Sequence, residues 1–119
     1  MHELAICQAL LDQVHALARQ ENAAAVTAIT IEVGPLSGVE PSLLARAYSL
    51  ARMNTLAEDA ELIVNASPVR VTCEECGAET AASANNLVCG ECGNWRTRLV
   101  AGDELTLVRV ELSMQATVH

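Results

Sequence analysis

The chain contains no lysine and no phenylalanine, and its aromatic residues are Trp95 and Tyr48 alone. Its seven basic residues are all arginines, scattered at positions 19, 46, 52, 70, 96, 98 and 109, against fifteen acidic ones, for a net charge of −8. Nucleic-acid binders draw much of their affinity from a clustered basic face that neutralises phosphates, so this balance argues against that class. Without phenylalanine, the 51% hydrophobic content must form its core from Leu, Val, Ile and Ala, a modest core for 119 residues. No apolar run approaches the length of a membrane span. His2 and Glu3 stand where a secretory signal needs basic residues, and Gln8 and Asp12 interrupt the following stretch. There is no low-complexity segment and no nucleophile–base signature, so an enzyme in its own right is not expected. These absences describe a small acidic protein of the cytoplasm, with no membrane and no nucleic acid among its partners.

What is present in quantity is cysteine in a fixed pattern. Cys73-Glu74-Glu75-Cys76 and Cys89-Gly90-Glu91-Cys92 are matched pairs, each followed by a glycine, Gly77 and Gly93. A C-x-x-C-G turn lets two thiolates reach one metal, and the glycine takes a backbone geometry that a β-carbon resists. Two such turns supply four sulfurs, a closed tetrahedral shell suited to structural Zn²⁺ with no position left for substrate. The competing reading is a thioredoxin-type redox pair, which uses one C-x-x-C at a helix start and has no need of a second. Cys7 is a fifth, odd cysteine, which fits a reducing compartment better than a disulfide framework. It lies on an apolar stripe and reads as a small core thiol. Trp95, close after the second pair, is expected to pack over the zinc turns; exposed, it would mark an interaction surface.

The rest of the chain alternates helix and strand. Leu4, Cys7, Leu11, Val14 and Ala18 recur at helical spacing through residues 4–20, with His15 at the edge of the stripe and Asn22 as a stop. Residues 26–33 form a β-rich stretch ended by Gly34-Pro35. A second helix is expected from Pro41-Ser42 to about Asn54, with Glu40 favouring its dipole. Residues 61–72 read as a strand interrupted at Pro68, a bulge or the crossing into the cysteine segment. Gly102-Asp103 is a turn, and residues 104–113 alternate as a final strand. The expected fold is α+β: a small three-stranded sheet with two helices on one face, plus an inserted four-cysteine, zinc-ribbon-like lobe. Residues 1–68 and 102–119 would form the α/β domain and 69–101 the zinc-binding lobe. His119 ends a polar tail, where disorder is the default.

The amino terminus carries a second metal pattern. The amine of Met1, the deprotonated amide nitrogen of His2 and its imidazole can close two fused chelate rings, and Glu3 can add a fourth donor through its amide or carboxylate. Donors of this type suit a square-planar ion, Ni(II) or Cu(II), better than Zn²⁺ or Mg²⁺. On this feature alone, a solvated terminus is the commoner reading of a histidine at position 2.

Taken together, the segments resemble one family. The opening Met1-His2-Glu3-Leu4, the stretch Val33-Gly34-Pro35-Leu36-Ser37-Gly38-Val39-Glu40-Pro41, the two cysteine pairs, and Gly102-Asp103-Glu104-Leu105 are similar to the corresponding segments of the HypA/HybF hydrogenase-maturation nickel metallochaperones. Ala5 and Tyr48 depart from the family's usual serine and phenylalanine. The resemblance implies a carrier of Ni(II), bound by His2 with Glu3 and the Met1 amine, and a structural Zn(II) on Cys73, Cys76, Cys89 and Cys92. It also implies a GTPase accessory protein and the large subunit of [NiFe]-hydrogenase as partners, with urease served in some members, and a monomer or weak homodimer. The alternative is an acidic zinc-ribbon adaptor or nucleic-acid-binding module.

Overall fold

A computed structural model describes residues 2–114; Met1 and residues 115–119, His119 among them, lie outside the described residues. The first helix, α1 (His2–Gln20), contains neither Gly nor Pro and is rich in Ala and Leu, residues that lose little entropy on becoming helical. Its buried residues, Cys7, Leu10, Leu11, Val14 and Ala18, follow the three-and-four spacing of one helix face. Glu3 in the first turn and Arg19 in the last complement the helix dipole. Asn22 ends it in the left-handed region at φ 54°, as its position after the stripe foretells.

The second helix, α2 (Pro41–Ala51), opens with proline at its first position, where a missing N–H costs nothing. It stops three residues short of the expected Asn54. The Thr55 hydroxyl donates to the Arg52 carbonyl at 2.6 Å, and Asn54 turns to φ 61°. Both features draw the backbone out of helical continuation, a local competition that apolar spacing does not report.

The strands are β1 (Ala23–Val33), β2 (Glu61–Ala66), β3 (Arg70–Cys73), β4 (Glu79–Ala81), β5 (Thr97–Ala101) and β6 (Leu105–Met114). They form two sheets of three, ordered β2-β1-β6 and β4-β3-β5. The expected α+β class holds, with two helices and small sheets. The strand expected over 61–72 is two strands in different sheets, so the interruption at Pro68 is the crossing between them. The second sheet lies within the cysteine segment: β3 is the far end of that expected strand, while β4 and β5 are too short to be legible in the sequence.

The chain divides into two compact units. Among the described residues, one comprises 2–31, 40–64 and 107–114. Its core is built from the α1 stripe, Leu44 and Tyr48 of α2, and Val26, Ala28, Ile29 and Ile31 of β1. The Cys7 thiol lies 3.5 Å from the Leu44 carbonyl, tying the two helices, and the Tyr48 hydroxyl donates to the Ala60 carbonyl at 2.9 Å. That bond gives the buried Tyr48 hydroxyl a partner.

The second unit comprises residues 32–39 and 65–106. Within it two glycines bring backbones together. The Gly34 N–H donates to the Glu104 carbonyl at 2.9 Å, the Leu36 N–H to the Gly102 carbonyl at 2.8 Å, and the Ser67 N–H to the Val33 carbonyl at 3.1 Å. A β-carbon on Gly34 would overlap the Gly102 carbonyl oxygen, whereas one on Gly38 would meet nothing within 4 Å. Gly34→Ala should therefore cost on the order of 3 kcal/mol or more, since backbone must move. Gly38→Ala, which has room but a φ of +79°, should cost about 1–2 kcal/mol. Urea unfolding of the two variants checks the order; equal losses would show that the close approach is not maintained in solution.

Candidate metal centre

Two turns of the same construction face one another in the second unit. Cys73 ends β3, and its N–H donates to the Ala78 carbonyl at 2.9 Å while its own carbonyl accepts from Gly77 at 3.0 Å. Cys89 repeats this with Asn94 and Gly93, both at 2.9 Å. Gly77 and Gly93 both lie at φ 75°, the left-handed geometry expected after each C-x-x-C. In each turn the first sulfur accepts two backbone N–H groups: Cys73 from Glu75 and Cys76, each at 3.4 Å, and Cys89 from Glu91 at 3.3 Å and Cys92 at 3.5 Å. The second turn has a further anchor, the Gly90 N–H donating to Thr80 Oγ1 of β4 at 2.8 Å. Thr80 carried no signal in the sequence, because its role exists only once β4 lies beside that turn.

The four sulfurs lie within 4.8 Å of one another, and the pairs Cys73–Cys92 and Cys76–Cys89 are 3.6 Å apart. A tetrahedron with metal–sulfur bonds of about 2.3 Å has sulfur–sulfur edges of about 3.8 Å, so the cluster fits zinc. The same separation is far beyond the roughly 2.05 Å of a disulfide, and all five cysteines are free thiols. Cys73 and Cys89 are buried and Cys76 and Cys92 are exposed, so the cluster is open to solvent along one side. With all four positions filled by protein, a bound zinc would hold structure and offer no site for catalysis.

Among the other residues singled out from the sequence, His2 is exposed and Glu3 half-buried in the first turn of α1, while Met1 lies outside the described residues. Burial, reinforced by the charge of Glu3, pushes the Cys7 thiol up, which makes it an inert core group. His15 is half-buried beside an open cleft with Arg19 and Asn54, and its Nε2 has no hydrogen-bond partner among the described residues. Trp95 departs from expectation. It is 74% exposed, with the Arg96 guanidinium 5.4 Å from its ring centroid. It does not cover the metal turns, because the Cys89–Asn94 hydrogen bond closes the second turn before the chain reaches it.

Electrostatics divides the thiols into two kinds. Backbone N–H donation from Cys76 holds the Cys73 thiol below its ordinary value, and donation from Cys92 brings that of Cys89 down to about 6. The other two are raised. The Ala78 and Asn94 amides favour their thiolates, but the adjacent sulfurs and partial burial together outweigh this, taking Cys92 up to about 12. Four thiolates this close require a cation, and binding one displaces the protons of those still protonated. Above pH 6 the Cys89 proton is already gone; below pH 6 it must be displaced with the others. Proton release on zinc binding should therefore rise by about one as the pH falls through 6, and affinity should fall with it. Calorimetry of metal-free protein in buffers of different ionisation enthalpy measures this count, and a count that does not change across pH 6 would contradict the division of the thiols.

Comparison with known proteins places these features in a family. The model described as "Hydrogenase/urease nickel incorporation, metallochaperone, hypA" matches residues 1–112. The chain is 46% identical over 112 residues to the hydrogenase maturation factor HypA of Nitrosospira multiformis, covering 94% of this chain and 97% of that one. It is 38% identical over 114 residues to that of Aquifex aeolicus, covering 96% and 99%. The solution structure of the Ni metallochaperone HypA from Helicobacter pylori shares the fold, with a TM-score of 0.72 over 95% of this chain and 98% of that one at 22% identity. A second solution structure of a HypA protein gives 0.75 over 97% and 98% at 21% identity. By the extent of the family match and of these identities, the chain belongs to the HypA family of hydrogenase/urease nickel-incorporation metallochaperones.

Proposed function

We propose that the protein binds Ni(II) at its amino terminus and delivers it for the maturation of [NiFe]-hydrogenase, with the four-cysteine cluster held by a structural zinc. The observation that carries this reading is the family match, which begins at residue 1 and so includes Met1-His2-Glu3. The donor chemistry supports it. His2 and Glu3 occupy the first turn of α1, whose amide N–H groups have no carbonyl one turn earlier to bind. Their nitrogens are therefore not committed to the helix, and the exposed His2 imidazole is free to join them. The ring that joins the Met1 amine to the His2 amide nitrogen closes through the Met1 backbone, and the ring to the imidazole closes through the His2 side chain, so the chelate draws on atoms that no helical hydrogen bond uses. Dependence on a deprotonated amide also makes affinity fall as pH falls.

The protein acts in this reading as a carrier rather than a catalyst, in the reducing cytoplasm that five free thiols suit. A GTPase accessory protein and the hydrogenase large subunit are its partners, urease a possible second destination, and a monomer or weak homodimer its working form.

Nickel titration of zinc-loaded protein with its native Met1, beside His2→Ala and a form extended by one residue before Met1, tests the site. The expected result is one square-planar site whose affinity drops in both altered forms by more than the roughly 10–100-fold that an outer-shell change costs, with zinc content unchanged. Equal binding by all three forms would move nickel elsewhere and remove the terminal chelate from the account.

A further inference from the structure

The outer face and free edge of β5 form a surface that neither metal site uses. In β3, Val71 and Cys73 are buried, which turns Arg70 and Thr72 to the other side of the sheet. The antiparallel register sets Arg98 beside Thr72, and the Glu74 N–H donates to the Arg96 carbonyl at 2.8 Å. By alternation Arg96 and Arg98 share this outer side, and both are exposed; beyond Leu99 the register shifts, Arg70 pairing with Ala101, and Val100 at that irregularity is 48% exposed. Trp95, 74% exposed, immediately precedes them.

The charges there are unevenly satisfied. Arg70 is paired with Glu79 at 2.9 Å, and Arg96 with Glu75 at 3.2 Å. Arg98 makes no ion pair among the described residues. The backbone is open as well. β5 ends its sheet, and since Arg96 and Arg98 occupy the hydrogen-bonded positions opposite β3, the N–H and C=O of Leu99 point away from the sheet, as does the C=O of Thr97. Charged residues commonly guard such edges, but a guard does not require an exposed tryptophan and valine beside it.

We propose that β5 is a docking edge for an extended, acidic segment of a partner protein, which adds as a fourth strand. Each part of the surface specifies one property of that occupant. The outward backbone groups of Thr97 and Leu99 require a strand, Arg98 requires a carboxylate on its outer side, Arg96 can share a second with the Glu75 that already pairs it, and Val100 with Trp95 requires apolar groups beside them. Tryptophan and arginine are also the residue types that carry most binding energy at protein interfaces. A single-stranded nucleic acid stacking on Trp95 fits less well, because its affinity draws on several cations neutralising successive phosphates, and among the described residues of this face Arg98 alone makes no ion pair. The proposal is independent of where nickel binds.

The test uses zinc-loaded, ¹⁵N-labelled full-length protein and a blocked peptide, Thr-Val-Thr-Glu-Thr-Glu-Thr, whose valine and glutamates would oppose Val100, Arg98 and Arg96 in an antiparallel strand. Lysine in place of both glutamates gives the control peptide. Saturable amide shifts confined to residues 95–101 are expected at peptide concentrations up to about 1 mM, where a contact worth roughly 4 kcal/mol is half-saturated. Trp95, the sole tryptophan, should change its emission, and the Leu99 amide should exchange more slowly. Trp95→Ala should weaken binding about tenfold, and Arg98→Glu should reverse the preference between the two peptides; both positions are exposed, and retained zinc confirms that the variants fold. No shifts at 1 mM, equal binding of the two peptides, or shifts elsewhere would overturn the proposal. Tighter binding of oligothymidylate, falling steeply with salt, would overturn it too and assign the surface to nucleic acid.

Discussion

Four sulfur atoms within 4.8 Å of one another are the constraint around which the second unit is arranged. Apart from Val33, Val69 and Val71, the buried hydrophobic residues of that unit are Cys73 and Cys89, two of the four ligands. A segment with so little apolar surface to bury has little packing to offset its chain entropy, and a zinc held by the four cysteines would supply the missing cohesion. The strands serve the same end. β3 delivers Cys73 at its last residue, pairs with β4 and β5 on either side, and through Thr80 of β4 fixes the second turn. Four backbone N–H groups aimed at Cys73 and Cys89 prepare two sulfurs to be anionic before metal arrives.

Much of this was legible because metal ligation and helix formation leave short-range marks. Four ligands and two glycines at matched spacing specify the turns almost completely, and the α1 stripe specifies its buried face. The less legible parts depend on partners distant in sequence. Residues 79–81 and 97–101 are too short to show alternation, and become strands only because β3 lies between them with unpaired groups on both sides. The fate of Trp95 depends on where the second turn closes, a matter of one hydrogen bond from Cys89 to Asn94. The early end of α2 rests on a threonine hydroxyl competing for a carbonyl, which hydrophobic spacing cannot register.

Gly34 and Gly102 stand at the turns that the sequence marks, the Ser37 N–H donating to the Gly34 carbonyl at 3.0 Å, but they carry a further constraint that it does not. As sequence they read as turn formers, and Gly102 does adopt φ 121°. Gly34 has no left-handed φ; what forbids a side chain there is the Gly102 carbonyl, which occupies the place a β-carbon would need. The segment after β1 is thereby held against the residues that lead into β6, with the bonds from Gly34 and Leu36 made across the gap. A glycine required by close approach and one required by backbone angle look identical until the opposing strand is known.

The two metal chemistries of the chain place opposite demands on their donors, and on the nickel reading this explains why they use different parts of the backbone. A structural ion is best served by soft thiolates on rigid turns, all positions filled, with backbone N–H groups bonded to sulfur so that nothing is left to exchange. A cargo ion must leave, and its donors are better placed where the fold does not depend on them. On the nickel reading, the first turn of α1 meets that condition: its amide nitrogens have no helical carbonyl to bind, so neither capture nor release would break a helical hydrogen bond at the donor atoms. The metal could then leave one donor at a time, and a partner that displaces the exposed His2 imidazole first would not have to unfold the helix to extract it.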